Sequence, residues 1–314
     1  MTTLNFYNWS NLILKWHSTI LLGGILATIY LIFILLSDSS TIWENFLKIN
    51  PWNFFLAFVL WSISNFLRAI RWHIFVRSIV KIPFLKNLIL YFSGFAFLIT
   101  PARMGEIIKS YYLKRDYDLP VSKTAPIVLI ERFYDLAGIV SIVLISFALL
   151  ESQLHVLLLF PLFGVFMFTL NRKSLVDSTL KKLFKFKYLA KYAPNIDESV
   201  KTIQQITTLK CSLIGILFSI VITGLQSIAV YFLITSFVPI NLEKVFLIFP
   251  LSNFLAAITL IPGGIGVFEG GFIGLLVQNQ INYDIAVTVS VLIRIIGTGF
   301  FTVLGMILLK KLSK

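Results

Sequence analysis

The sequence predicts an all-α polytopic membrane protein with about six full spans and two re-entrant broken-helix hairpins arranged as an inverted repeat. Three observations carry this. The 314 residues are 58% hydrophobic and 13% charged, against about 25% charged in soluble domains. The apolar residues gather into runs near the roughly 20 residues that a bilayer crossing needs, and most Lys and Arg fall between them. Two apolar segments also interrupt themselves, at Pro101 and at Pro262.

The elements follow in order. Residues 1–16 form a polar, aromatic lead, and the run at 18–36 reads as a first span and signal anchor, with no small-residue cleavage site after it. Span two starts near Trp52 and runs toward Ile70, and Arg68, Arg71, Arg77, Lys81 and Lys86 mark its far end. Leu88–Thr100 is too short to cross and reads as a half-helix stopped by Pro101. Span three is Pro126–Leu150, with Glu131, Arg132 and Asp135 in its first third. Span four is about 154–170. In the polar stretch 171–210, Leu180, Leu183, Phe184, Tyr188 and Leu189 share a face flanked by lysines, which suits an amphipathic helix on an anionic leaflet. Span five is about 211–237. Val245–Ile261 is short and ends at Pro262, and span six, about 285–309, carries Arg294. No polar segment suits a separate soluble domain, so 1–314 reads as a single membrane domain.

Orientation follows from the basic loops, which favour the cytoplasmic side. Residues 68–86, 171–191 and the C-terminus are expected inside, so both termini are cytoplasmic and the two broken segments, 84–118 and 243–281, are entered from opposite faces, as re-entrant hairpins or by each crossing twice. The halves also echo one another. Pro101 with Gly105 and Pro262 with Gly266 share Pro-x-x-x-Gly. Arg132 comes 31 residues after its proline and Arg294 comes 32 after its own. Half A is then about 52–150, half B about 211–309, and 171–210 is the linker. Inverted repeats of broken helices build midplane sites in transporters.

Net charge is +13. With the positives between apolar spans, this fits anionic lipid headgroups, and no nucleic-acid partner is expected. Cys211 is the sole cysteine, and His17, His73 and His155 are scattered, so neither a metal site nor a cofactor is expected.

Ionisable residues inside spans are candidate functional groups. Arg132 and Arg294 suit a phosphate, because guanidinium binds it bidentately; each could equally be a structural counter-ion, Arg132 to Glu131 or Asp135 and Arg294 to Glu269. Glu106 and Glu269 follow the breaks and could meet a cationic headgroup, carry a proton or neutralise the arginines. Glu131 and Asp135, four apart, share a helical face and suit ion pairing or a proton relay. Arg103 and Lys109 also follow the first break. Gly263, Gly264 and Gly266 could present amides to phosphate at a half-helix N-terminus or permit close packing. Pro101, Gly105 and Pro262 are the expected hinge positions.

RAIRW (68–72), TPARMGEIIKSYYLKR (100–115), ERFYDLAG (131–138) and LIPGGIGVFEGGFIGLL (260–276) resemble the flippase-like family of lysylphosphatidylglycerol synthase transmembrane regions. That family includes the flippase half of the multiple peptide resistance factor and stand-alone relatives. The resemblance covers about 18–309. It implies translocation of a phospholipid or a polyprenyl-phosphate-linked lipid across the cytoplasmic membrane. Ala102-Arg103 stands where relatives commonly carry glycine, so the first break is expected to be stiffer than the second. The soluble lysyltransferase domain of the full synthase is not among these residues, so the expectation is a transporter and not an enzyme. The alternatives are a membrane-embedded lipid-modifying transferase and an accessory subunit of a lipid-modifying complex, and a lipid-synthesising enzyme is an expected partner.

Overall fold

A computed structural model describes residues 39–98, 106–150, 196–259 and 261–312. The expected spans at 18–36 and 154–170, the amphipathic face at 180–189, and Pro101, Arg103 and Gly105 lie outside the described residues.

The described elements are helical. They are α1 (Ser39–Lys48), α2 (Pro51–Arg77), α3 (Phe84–Ser93) with a 3-10 turn (Gly94–Phe97), α4 (Ile108–Tyr117), α5 (Val121–Leu150), α6 (Ile196–Ile206), α7 (Leu209–Thr235), α8 (Leu242–Ile258), a 3-10 turn (Pro262–Gly264), α9 (Val267–Gln278), α10 (Tyr283–Arg294), a π turn (Ile295–Gly299) and α11 (Phe300–Leu312). Among the described residues four helices are long and apolar enough to cross a membrane: α2, α5, α7 and the continuous α10–α11. The apolar segments Phe84–Phe97 and Val267–Gln278 are shorter.

Local chemistry sets the ends. Asn50 caps α2, its side chain accepting from the amides of Trp52 at 2.9 Å and Asn53 at 3.4 Å, while Pro51 occupies the first turn, where no amide is needed. Asp118, at φ 52, closes α4 in the left-handed conformation. Asn282 caps α10 by accepting from the Asp284 amide at 2.8 Å.

Span two reaches seven residues beyond Ile70, to Arg77. Arg68 and Arg71 are therefore helix residues turned toward the bundle, not positives of a cytoplasmic loop. Span three begins at Val121, five residues before the proline that was expected to open it, and Pro126 lies inside the helix. Proline cannot donate to the carbonyl four residues back, which here belongs to Ser122. The Ser199 hydroxyl of α6 donates to that carbonyl at 2.8 Å, and the Ser122 hydroxyl bonds Glu198. Tyr134 Oη donates to the Ile206 carbonyl at 2.9 Å. The end of the polar stretch is thus docked on α5, with Val200 and Ile206 buried.

α2 packs along α7, and α7 packs along α5. Close approach needs missing side chains. A Cβ at Gly138 of α5 would stand 2.5 Å from the Ser219 backbone of α7, and one at Gly305 of α11 would stand 2.4 Å from the Ala96 amide. Among the described residues the order long, short, short, long occurs twice: α2–α5 and α7–α11. Pro51 to Leu209 and Phe84 to Leu242 are each 158 residues apart. The last long helix of each set lies against the short helix of the other, α5 on α8 and α11 on α3.

Candidate functional site

The charged residues before and inside α4 and α5 meet two arginines of α2. The spacing explains the meeting: Arg68 and Arg71 are three apart and Glu131 and Asp135 four apart, so each pair faces one way from its helix. The result is a closed ring of alternating charge. Arg132 Nη2 lies 3.3 Å from Glu106 Oε2, Lys109 Nζ 3.0 Å from the same oxygen, and Lys109 Nζ 3.3 Å from Glu131 Oε2. Glu131 Oε1 then lies 3.7 Å from Arg71 Nη2, which is 2.8 Å from Asp135 Oδ1, and Asp135 Oδ2 is 2.9 Å from Arg132 Nη1. Every vertex touches two groups of opposite sign.

Desolvating a single charge costs several kcal/mol unless it is well paired. The ring meets that condition with three cations and three carboxylates. Aromatic rings cover it: Lys109 Nζ lies 4.0 Å from the Trp72 ring centroid and 4.5 Å from that of Tyr91. Gly94 makes room for the lysine stem, since a Cβ there would meet Lys109 Cγ and Cδ at 3.2 Å. Arg71 also donates to Ser219 Oγ on α7 at 2.5 Å. Burial is uneven. The side chains of Arg71, Glu106, Lys109 and Glu131 are fully enclosed, whereas those of Arg132 and Asp135 are 21% and 13% exposed. Arg68, 12% exposed, lies beside this open edge with its Nε 3.8 Å from Asp135 Oδ1.

The second break has its own cluster. Glu269 Oε1 accepts from Arg294 Nε at 2.7 Å, and Arg294 Nη1 donates to the Gly263 carbonyl at 2.8 Å. Glu269 Oε2 accepts from the Gly266 amide at 2.7 Å. Gly263 and Gly264 both have φ 64 and Gly266 has φ 82, the left-handed region that glycine enters without penalty. These glycines turn one carbonyl toward the guanidinium and one amide toward the carboxylate, so Arg294 fastens the loop to α10. The Arg294 guanidinium also lies 4.9 Å from the Phe268 ring centroid.

Sequence reasoning therefore found Glu106, Glu131, Arg132 and Asp135, which the fold brings into one cluster, and Glu269, Arg294, Gly263 and Gly266, which it brings into another. Gly264 serves packing as well, because a Cβ there would meet Ala256 Cβ at 2.8 Å. Arg71, a vertex of the ring, was not placed in the site, and neither was Arg68; Lys109 was noted only as a charge that follows the first break. A signal existed. Trp61, Ser64, Asn65, Arg71, Trp72 and Phe75 are all buried along α2, and this helical period continues through RAIRW.

Comparison with known proteins follows the same residues. A family model described as the lysylphosphatidylglycerol synthase TM region matches residues 20–305. UPF0104 membrane protein MJ1078 of Methanocaldococcus jannaschii is 29% identical over 220 residues, 67% of this chain and 91% of that protein. UPF0104 membrane protein PH1989 of Pyrococcus horikoshii is 26% identical over 291 residues, 82% of this chain and 87% of that protein.

Proposed function

This chain belongs to the lysylphosphatidylglycerol synthase transmembrane-region family, and from that premise we propose that it moves a lipid headgroup, of a phospholipid or a polyprenyl-phosphate-linked lipid, across the cytoplasmic membrane. The observation that carries this is the uneven burial of the charged ring. Four vertices are sealed, while Arg132 and Asp135 remain partly exposed beside Arg68. A transporter needs such an edge, where a polar headgroup can leave water without leaving charge partners while its acyl chains stay in lipid. Arg132 grips the headgroup phosphate there, and Asp135 and Glu131 hold the arginines in place.

The repeated element order and the exchange of short and long helices between the halves support an inverted repeat, with α3 and α9 as half-helices of re-entrant hairpins. In this reading Arg294 and Glu269 form the matching latch of half B, and both termini are cytoplasmic. The membrane lipid is the partner, and a lipid-synthesising enzyme delivers it. In this reading the protein is not an enzyme: Glu131 and Asp135 are each already bound by two or more cations, which leaves neither as a ready base.

The test is a vesicle assay that follows labelled lipids of several headgroups between leaflets. Arg132→Ala is expected to cut flux at least tenfold, by loss of a charged partner worth about 2–5 kcal/mol, while the protein still inserts. Flux equal to wild type in both Arg132→Ala and Arg294→Ala would sink the reading.

A further inference from the structure

The short helix that precedes α2 divides into three faces. α1 is 10 residues long, about 15 Å, half of the roughly 30 Å of hydrocarbon that a crossing needs. At about 100° per residue, Trp43 and Leu47 project within about 40° of one another, and so do Glu44 and Lys48. Asn45, Phe46 and Ile49 share the remaining side. That side meets the protein: Phe46 and Ile49 pack against the core, and Asn45 Nδ2 donates to Thr288 Oγ1 of α10 at 3.5 Å. Trp43 and Leu47 are 66% and 70% exposed. Glu44 and Lys48 pair with each other at 3.1 Å, and both are exposed.

We propose that α1 lies in the plane of the membrane at the boundary between acyl chains and headgroups, with Trp43 and Leu47 in the acyl region and the Glu44–Lys48 pair in water. The partner is the lipid surface itself and not a transported lipid, so this placement stands apart from the transport reading. Only the choice of the outer leaflet rests on the orientation given there.

No other depth satisfies all three faces. In water, a tryptophan and a leucine would stand uncovered side by side, and apolar surface favours leaving water. Deeper in the bilayer, the ion pair would lose its hydration. At the boundary each face has its own medium, as in an interfacial amphipathic helix, and tryptophan is enriched at that level. The neighbouring chain agrees. Only Ile49 and Asn50 separate α1 from α2, and Asn50 is extended, at φ −68 and ψ 115, so the chain leaves the direction of α1 before the span begins. Trp52 and Phe55, in the first turns of α2, are exposed and stack at 5.5 Å. They set a second aromatic pair at the end where this span enters the membrane.

Charge defines the kind of surface. Glu44 and Lys48 are the charged residues of α1 and cancel, so the attraction is apolar and aromatic, not electrostatic. Anchoring is therefore expected on zwitterionic and anionic bilayers alike. The Asn45 contact also gives α10 a depth. Thr288 sits beside α1, and from 288 to Arg294 the same helix advances at most about 9 Å. Half of the hydrocarbon is about 15 Å, so the Arg294 latch lies in the same half of the bilayer as α1.

The experiment introduces single cysteines, Trp43→Cys, Glu44→Cys, Leu47→Cys and Lys48→Cys, each in a Cys211→Ser background. The full chain is nitroxide-labelled and reconstituted in phosphatidylcholine vesicles, with and without phosphatidylglycerol. Power saturation compares collision with oxygen, which concentrates in lipid, and with a water-soluble nickel chelate. The logarithm of the oxygen-to-nickel ratio is expected to be positive at 43 and 47 and negative at 44 and 48, in both lipid mixtures. Four negative values put α1 in water, four positive values sink it below the boundary, and low collision with both reagents at 43 and 47 means that protein covers that face. Each overturns the proposal, and so does a pattern that needs phosphatidylglycerol.

If a cysteine variant fails to fold, unlabelled protein gives a second readout. Subtracting the fluorescence of Trp43→Phe from that of wild type isolates Trp43. Bromine carried high on the acyl chain is expected to quench it more than bromine near the chain end, and quenching by aqueous iodide alone overturns the proposal. An impermeant maleimide that reaches Glu44→Cys from the cytoplasmic side only supports the boundary placement and overturns the orientation reading.

Discussion

Replacing Glu131 by Gln tests the ring most directly. Glu131 is fully enclosed and bridges two cations, Lys109 at 3.3 Å and Arg71 at 3.7 Å. Gln keeps the shape and removes the charge. Among the described carboxylates Lys109 is then left with Glu106 alone, and the cluster becomes more positive by one charge. Breaking a buried pair costs about 3–5 kcal/mol, and the loss of a two-cation bridge falls at the upper end, about 4–5. At roughly 2 °C per kcal/mol for a large chain, thermal unfolding in detergent should fall by about 8–10 °C. Lys109→Met provides the internal comparison. It also breaks two contacts, but it removes a positive charge instead of a negative one, and each flanking glutamate keeps an arginine. Its cost should be roughly half that of Glu131→Gln by the same scale. Unfolding of Glu131→Gln within about 2 °C of wild type, or a larger drop for Lys109→Met than for Glu131→Gln, would refute the charge argument.

Two further outcomes follow from backbone geometry. Gly266→Ala forces an L residue to φ 82 and should destabilise by about 1–2 kcal/mol, whereas Gly270→Ala, in the helix with open space around it, should stabilise by roughly 0.5–1; thermal unfolding of the two variants should move in opposite directions. Ser199→Ala leaves the Ser122 carbonyl without its donor, at a cost of about 1–3 kcal/mol, and hydrogen exchange should quicken across the first two turns of α5 and throughout α6.

The sequence showed the helical class, the second break and four of the six vertices of the charged ring, because those rest on local features: apolar runs, Pro-Gly-Gly, and charges set inside or beside an apolar run. The ring's closure was not legible. Arg71 meets Asp135 across 64 residues of chain and Lys109 meets Glu131 across 22, so only tertiary packing reveals the partners. Arg68 and Arg71 were assigned to a loop because charge usually ends a span. Here carboxylates on another helix compensate it, and α2 continues. The start of α5 was misplaced for a similar reason. Proline commonly opens a helix, but a distant serine supplies the hydrogen bond that lets this helix start earlier.

The π turn at Ile295–Gly299 amounts to one extra residue wound into an α-helix. It lies directly after Arg294, and Gly305 downstream faces the Ala96 amide. Winding the same residues at regular α pitch would swing all of α11 by about 100°. The glycine would leave the 3-10 turn after α3, and a bulkier neighbour would arrive in its place. That one inserted residue thus sets the rotational register between the guanidinium latch and the packing seam beyond it.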